Sequence, residues 1–232
     1  MKVILITSCT GQKAGDLPEQ IALQSFGAAC ASWSDFRAHQ PTNRQKPAEL
    51  LYTGQQHRRL MRGVRCLREK YGTEAVEVWI VSAGYGLVPG NREIAPYDAT
   101  FRRLTQPQLH RRALELGIPG AARSLLSRPS DLALVLLGQA YLEALELDDT
   151  LQLGGPTLFI SARSCIHLVH GLGPKAILPL GKAEAKRFHC GLVGLKGEVA
   201  SRLLCRLARE GERFLLTITQ QDSDILSLLD GS

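Results

Sequence analysis

Short, continuously apolar runs rich in β-branched residues constrain the fold more than any other feature of this chain. They cover residues 2–7, 76–82, 132–137, 157–161 and 176–180. Runs of this kind are typical of strands that are buried on both faces of a parallel sheet. The segments between them repeat apolar residues at helical spacing, in residues 55–71, 106–127 with a break at Gly117–Gly120, 139–147 and 197–210. The alternation predicts an α/β fold, a three-layer α/β/α sandwich around a mostly parallel sheet.

A chain of 232 residues is the right size for one such domain, and we expect a single domain over residues 1–232. The irregular, proline-containing segment at residues 14–47 is a possible insertion, and residues 212–232 are expected to close the fold. The apolar runs are far shorter than the roughly 20 residues that cross a bilayer. The first run lacks a cleavage site of small residues, so it predicts a strand rather than a signal peptide.

The six cysteines, at positions 9, 30, 66, 165, 190 and 205, form no Cys-x-x-Cys pair. Such spacing predicts neither a zinc site nor an iron–sulfur cluster. We expect free, reduced thiols and therefore a cytoplasmic protein.

The loop after the first strand, Ser8 to Lys13, combines small and polar residues with Gly11. In open parallel sheets the ligand site lies beyond the carboxyl ends of the strands, so Ser8, Cys9, Gln12 and Lys13 are candidates for a substrate pocket. The loop lacks the phosphate-binding P-loop pattern. It is either a site that contacts a phosphate or a base, or a plain turn.

The segment after the second strand, residues 82–101, is long and rich in glycine and proline. Loops of this length are usually functional. Asp98 and Glu93 are the candidate catalytic carboxylates, and Tyr85 and Tyr97 can stack on a base. The alternative is structural: Asp98 caps the following helix and Tyr97 packs in the core.

Polar residues also follow the later strands, and Gly138, Ser161 and Arg163 are further pocket candidates. His167 and His170 have a spacing that can chelate a metal on a helix, but no third ligand accompanies them. We therefore expect no metal.

The formal net charge of +6 comes with clusters of basic residues. A dense basic face is typical of proteins that follow a phosphate backbone, although a solvated helix face has the same composition. The candidates for contacts with the DNA backbone are Arg58, Arg62, Arg65, Arg102, Arg103, Lys182, Lys186 and Arg187.

Four segments, ITSCTGQK, AELLYTG, VWIVSAGYGLVPGNREIAPYDATF and LLGQAYL, resemble the bacterial DUF6884-type domains. The long loop is also similar to one in YaaA-type DNA-binding proteins and to one in the glycosylase-like domain of archaeosine synthase. These resemblances imply a uracil-DNA glycosylase-like fold with a base pocket at the strand ends. The matching positions are Cys9, Lys13, Leu51, Tyr52, Thr53, Ser82, Gly86, Leu87, Pro96, Tyr97 and Asp98.

The resemblance leads us to expect a DNA glycosylase that flips out a modified base and hydrolyses its N-glycosidic bond. We expect Asp98, or else Glu93, to stabilise the cationic sugar, with Tyr52 and Ser82 near the base and no metal or cofactor. The favoured substrate is glucosylated hydroxymethylcytosine in double-stranded phage DNA, which implies a role in antiviral defence. The alternatives are a non-catalytic YaaA-type DNA-binding protein and an enzyme that acts on free modified nucleosides or nucleotides.

Overall fold

A six-stranded sheet forms the centre of the structure, which is a computed structural model that describes residues 1–14, 45–169, 171–172, 175–220 and 224–230. Its strands, in chain order, are β1 (Val3–Ser8), β3 (Val76–Ser82), β4 (Gly86–Pro89), β6 (Leu132–Leu136), β7 (Thr157–Ala162) and β8 (Lys175–Leu180). A separate antiparallel pair joins β2 (Lys46–Pro47) to β5 (Glu93–Ile94). The possible insertion at residues 14–47 falls almost entirely outside the described residues.

The sheet order is β4-β3-β1-β6-β7-β8, and every pairing is parallel except that of β4 with β3. In the central strand, Val3 lies opposite Val76 of β3 on one side and Leu132 of β6 on the other. The predicted parallel strands are therefore confirmed, each to within one residue of its predicted bounds. The prediction missed β4, which lies inside the glycine-rich loop. Its four residues are too few to show a recognisable alternation of apolar and polar side chains.

Helices cover both faces of the sheet. In chain order they are α1 (Ala48–Leu51), α2 (Gln55–Tyr71), α3 (Gln106–Glu115), α4 (Ile118–Leu126), α5 (Gln139–Glu143), α6 (Lys182–Arg187), α7 (Leu192–Glu210), α8 (Glu212–Thr219) and α9 (Ile225–Leu228). Across the sheet, the chain moves from β1 to β3 in one direction and from β3 to β6 in the opposite direction. Because such crossovers are right-handed, α2 and the α3–α4 pair lie on opposite faces of the sheet. The three-layer α/β/α sandwich is confirmed.

Two predicted helix bounds are wrong. Helix α7 begins at Leu192, five residues before the predicted start at Gly197, because glycines that disfavour a helix locally are held in one by packing. Helix α5 ends at Glu143 instead of residue 147, since Glu146 adopts a left-handed conformation with φ of 49°. The predicted break at Gly117–Gly120 is confirmed at Gly117, where φ is 64°, but Gly120 lies within α4.

Helices α2 and α7 approach each other closely through two glycines. A Cβ added to Gly63 would lie 2.6 Å from the Cα of Ser201, and one added to Gly197 would lie 2.1 Å from the main-chain oxygen of Gln56. Only a hydrogen in place of a side chain allows this main-chain contact.

The same helix pair carries a disulfide between Cys66 and Cys205. The expectation of free thiols is wrong for these two residues, whose Cα atoms are 5.2 Å apart because the helices are in contact. Cys9, Cys165 and Cys190 are free. The two cysteines are 139 residues apart in the sequence, so no local pattern indicated that they pair.

Candidate functional site

The chain order of the strands places a crevice beside β1. From β1 the chain builds the sheet outward through β3 on one side, then through β6, β7 and β8 on the other. Such a reversal opens a crevice at the carboxyl ends of the strands that flank it. A pocket of about 1170 Å³ lies there, and it is lined by Ser8 and Cys9 from the end of β1 and by Gly138 and Tyr141 from the segment after β6.

The loop after β1 is fastened to the start of α2. The main-chain N–H of Thr53 donates to the oxygen of Gln12 at 3.0 Å, and that of Gly54 donates to the Thr10 hydroxyl at 3.2 Å. Thr10 and Gln12 line the pocket. The loop therefore forms part of the pocket wall and is more than a turn that connects two elements.

Asp98 is half-buried in the opposite wall, together with Thr100. The side chain that caps the following 3-10 turn, Phe101–Arg103, belongs to Thr100, which accepts from the main-chain N–H of Arg102 at 3.2 Å. Capping is therefore the role of Thr100, and Asp98 lines the pocket.

Behind this wall lies a buried cluster of hydroxyl groups. The hydroxyl of Tyr97 is 2.8 Å from that of Tyr52 and 2.6 Å from that of Ser82. Ser82 also accepts from the main-chain N–H groups of Gly84 and Tyr85, at 3.3 and 3.0 Å. Burial, reinforced by the nearby Cys9 thiol, raises the pKa of Tyr52 and Tyr97 well above its ordinary value. Both phenols stay protonated and fix the chain just before Asp98.

Lys13 lies on this cluster, with its Nζ 4.6 Å from the centre of the Tyr97 ring. Burial lowers its pKa, while Cys9 and Asp98 act in the opposite direction. The thiol of Cys9 is 3.1 Å from the hydroxyl of Tyr141, and burial raises the pKa of that tyrosine. Six of the family-matching positions thus lie close together, although they come from three separate segments: Cys9, Lys13, Tyr52, Ser82, Tyr97 and Asp98.

The rim of the pocket is cationic. Arg102 and Arg103, both predicted, line it together with Lys196 of α7. Burial lowers the pKa of Lys196, and the positive charge of Arg102 adds to that effect. Sequence reasoning missed Lys196 because the start of α7 was placed too late; a start at Leu192 would have put this lysine in its second turn.

Gln56 is the second residue that the sequence did not single out. Its side chain is buried in the floor of the pocket. Its amide nitrogen Nε2 donates to the Thr7 hydroxyl at 3.1 Å and to the main-chain oxygen of Leu136 at 3.2 Å. A glutamine at the start of an amphipathic helix carries no local signal of such a position.

Eight predicted site residues do not line the pocket. Lys13, Tyr52, Ser82 and Tyr97 belong to the cluster behind its wall, where Tyr97 packs in the core and is not placed to stack on a base. The other four lie elsewhere. Glu93 is exposed in β5, where it pairs with Pro47. Tyr85 is buried and donates its hydroxyl to the oxygen of Ala95 at 3.3 Å. The hydroxyl of Ser161 donates to the oxygen of Leu137 at 2.6 Å.

Arg163, the fourth, is exposed and forms an ion pair with Glu184 at 3.1 Å. It lies at the end of β7, one strand further from β1 than β6. Its place directly after a strand made Arg163 a candidate for the pocket, but the sequence does not show how far the end of β7 lies from the crevice.

The predicted basic residues divide into paired and unpaired groups. Arg62 lies 2.8 Å from the carboxylate of Glu198, and Arg187 forms an ion pair with Asp230. Within the described ranges, the exposed side chains with no ion-pair partner include those of Arg58, Arg65, Lys182 and Lys186. Neutralised arginines contribute little to phosphate binding, so the effective basic surface is smaller than the composition indicates.

Neither a metal site nor a membrane-spanning helix is present among the described residues. No group of three or more His, Cys, Asp and Glu side chains has the arrangement of a metal site there. His167 is exposed, and His170 lies outside the described residues. In the same part of the chain, no helix has both the length and the apolar character that a membrane span requires.

The family model described as a family of unknown function, DUF6884, matches residues 38–156, just over half of the chain. The chain belongs to the DUF6884 family. No curated protein and no solved structure matches the chain. The matched region contains the wall with Asp98 and the end of β6. The end of β1 and helix α7, which complete the pocket, lie outside it.

Proposed function

We propose that this DUF6884 protein is a DNA glycosylase that removes a modified base and leaves an abasic site. The observation that carries the proposal is the position of Asp98, whose carboxylate lines a pocket rimmed by Arg102, Arg103 and Lys196. A carboxylate suits a sugar that becomes positively charged, and cations around the opening suit the phosphates on either side of it. The parallel sheet and its strand-end pocket are consistent with a uracil-DNA glycosylase-like fold.

The proposed reaction breaks one carbon–nitrogen bond and consumes one water. The bonding electron pair leaves with the base, and the sugar becomes an oxocarbenium-like cation that the carboxylate of Asp98 stabilises. Water adds to the anomeric carbon and loses its proton to Asp98 or to solvent, while the base gains a proton. Ser8 and Gln12 line the pocket and are candidate donors to the departing charge, while Lys13 lies behind the wall and interacts electrostatically with Asp98.

The size of the pocket favours a bulky base. A volume of about 1170 Å³ exceeds the roughly 300–1,000 Å³ typical of small-molecule sites. Glucosylated hydroxymethylcytosine, a modified base of phage DNA, has the size and the polar groups for such a pocket. This substrate would give the protein a role in antiviral defence within the bacterial cytoplasm.

The test is single-turnover base release from duplex DNA that contains this base, followed by an assay for abasic sites. In Asp98→Asn we expect release to fall by about 10²–10⁴-fold, because a positioned charged group is lost while the shape is kept. DNA affinity should stay the same or rise. Glu93→Gln is the matched control and should retain wild-type release, since Glu93 lies outside the pocket. Wild-type release in a folded Asp98→Asn protein would refute the assigned role.

A second candidate is a hydrolase that acts on free modified nucleosides or nucleotides. The pairing of Arg187 with Asp230 favours it, because it removes one of the predicted cations from the surface available to DNA. Incubation with the free nucleotide distinguishes the two: base release from the nucleotide but not from DNA supports this candidate. Binding of DNA without release from either substrate supports the non-catalytic, YaaA-type alternative.

A further inference from the structure

We infer that Gln56 selects the base, by accepting a hydrogen bond from the exocyclic amino group of a cytosine-type or adenine-type ligand. The inference rests on the proposed function, because it takes the ligand to be a base. It concerns the floor of the pocket, between the ends of β1 and β6, and not the catalytic wall that holds Asp98.

The first step is the orientation of the Gln56 amide. The main-chain oxygen of Leu136 has no hydrogen to give, so the group 3.2 Å from it must be the amide nitrogen. The second hydrogen of that nitrogen is directed to the Thr7 hydroxyl at 3.1 Å. Both amide hydrogens are committed, and the alternative orientation would set two oxygens against each other.

The second step is the state of the carbonyl oxygen Oε1. Gln56 is only 8% exposed, yet Oε1 accepts no hydrogen bond within the part of the chain that the structure describes. This oxygen is also not sealed from solvent. Gln56 lines the pocket and both of its amide hydrogens are bonded to the protein, so Oε1 is its polar atom left for a ligand there. A fixed hydrogen-bond acceptor in such a place favours a ligand that presents a hydrogen-bond donor. It disfavours a ligand that presents an oxygen there.

The third step is the choice among donors on a base. An amino group projects from the edge of the ring and carries two hydrogens, whereas a thymine-type base presents a carbonyl oxygen at the same position. The ring N–H of such a base lies between two carbonyl oxygens, so its approach would bring those oxygens towards Oε1. The acceptor therefore favours amino bases over oxo bases.

The supporting contacts make this acceptor rigid. Thr7 is completely buried in β1, and Leu136 is the last residue of β6. Gln56 itself lies in the first turn of α2, where Gly197 of α7 contacts its main chain. An acceptor held by two strands and two helices cannot turn away to accommodate the wrong ligand, and this rigidity is what gives selectivity.

The experiment compares two duplexes that differ only in the target base, hydroxymethylcytosine or hydroxymethyluracil, with and without the glucosyl group. In the wild-type protein we expect release of the amino base to be faster by about 10- to 100-fold, the effect of leaving one buried acceptor unpaired. In Gln56→Met this ratio should fall towards one. Gln152→Met is the control, because this glutamine is exposed and lies outside the pocket, so the ratio should persist there.

A second measurement distinguishes failure of the inference about Gln56 from failure of the proposed function. Equilibrium binding of free deoxycytidine and deoxyuridine to the wild-type protein needs no variant that must fold, and it does not depend on catalysis. Tighter binding of deoxycytidine without any base release would reject the glycosylase and support the role of Gln56. Base release at equal rates from both duplexes would support the glycosylase and overturn the role of Gln56. Equal binding of the two nucleosides would also overturn it.

Discussion

Tyr97 connects the core to the pocket wall through one hydroxyl group. That hydroxyl bridges Ser82, at the end of β3, and Tyr52, just after α1, and the next residue in the chain is Asp98. Because all three partners are buried, loss of the bridge leaves the other two hydroxyl groups short of a partner in a place without water. The position of the carboxylate and the stability of the fold therefore depend on the same group.

Tyr97→Phe removes this hydroxyl and keeps the ring. We expect the free energy of unfolding to fall by about 1–3 kcal/mol, since two buried hydroxyls lose their partner. Base release should also fall, because Asp98 is held less firmly. Urea unfolding gives the first quantity. Tyr71→Phe, at a tyrosine that is 39% exposed, is the control and should change stability by at most about 0.5 kcal/mol. An unchanged free energy in Tyr97→Phe would show that the bridge contributes nothing.

His57 gives the fold a dependence on pH. Its Nε2 lies 2.8 Å from the main-chain oxygen of Glu49 and must donate to it, which leaves Nδ1 as the buried, unprotonated nitrogen. Burial lowers the pKa of His57, so its neutral form prevails in the folded protein. The unfolded chain takes up a proton near its ordinary pKa of about 6.5, before the folded protein does.

The free energy of unfolding should therefore be highest above about pH 6.5 and fall as the pH drops towards the lower, folded pKa of His57. His57→Gln keeps a donor for Glu49 and should flatten this decline between about pH 7 and 5. Urea unfolding along the pH series measures it. His167→Gln, at an exposed histidine, should leave the decline unchanged. An equally steep decline in His57→Gln would assign it to other groups.

At the scale of elements, the contact between α2 and α7 holds the pocket together. The first turn of α2 supplies Gln56, and α7 supplies Lys196. The two helices meet at Gly63 and Gly197, and Cys66–Cys205 joins them further along. Spacing between the helices thus sets the distance between the floor of the pocket and its cationic rim.

Gly197→Ala tests this contact. The new methyl group would lie 2.1 Å from a main-chain oxygen of α2, and neither partner is a flexible side-chain end that could move aside. We expect a loss of about 1–3 kcal/mol in the free energy of unfolding, as for overpacking in a core. Gly120→Ala is the matched control, because a Cβ there meets nothing within 4 Å. It should be neutral or stabilise by up to about 1 kcal/mol. Equal effects of the two substitutions would mean that the helices separate at no cost.

At the scale of the whole molecule, ion pairs determine which basic side chains are exposed to solvent without a carboxylate partner. Three arginines, Arg59, Arg62 and Arg202, surround the single carboxylate of Glu198. They lower its pKa and keep it charged despite its burial. Arg58 and Arg65 lie on the same helix as Arg62, are exposed, and have no such partner among the described residues.

Replacing Arg58 and Arg65 together with glutamine should weaken DNA binding for all sequences alike. The slope of log K against log salt should shrink by about 2, since each lost phosphate contact contributes about 0.9. Binding titrations at several salt concentrations measure it. Arg187→Gln is the control, and its slope should stay close to that of the wild type because this arginine already forms an ion pair with Asp230. An unchanged slope in the double variant would place DNA elsewhere on the surface.

The sequence by itself determined the class of the fold and most of its elements. A buried parallel strand needs a continuous apolar run, and a covering helix needs an apolar stripe, so residues 3–8 and 55–71 carry their structure locally. The matching motifs also indicated that Asp98 belongs to a site. The predictions of strands and helices succeeded because each depends on a stretch of neighbouring residues, whereas the role of Asp98 stays a prediction.

Only the tertiary structure decided which strand ends meet. The crossover to the far side of β1 brings Gly138 to Cys9 and leaves Arg163 one strand further away, although all three follow predicted strands. In the same way, Gln56 reaches the pocket floor through contacts with Thr7 and Leu136, and Cys66 reaches Cys205 across 139 residues. Contacts between segments far apart in the chain follow from sheet order and helix packing, which no local pattern of residues encodes.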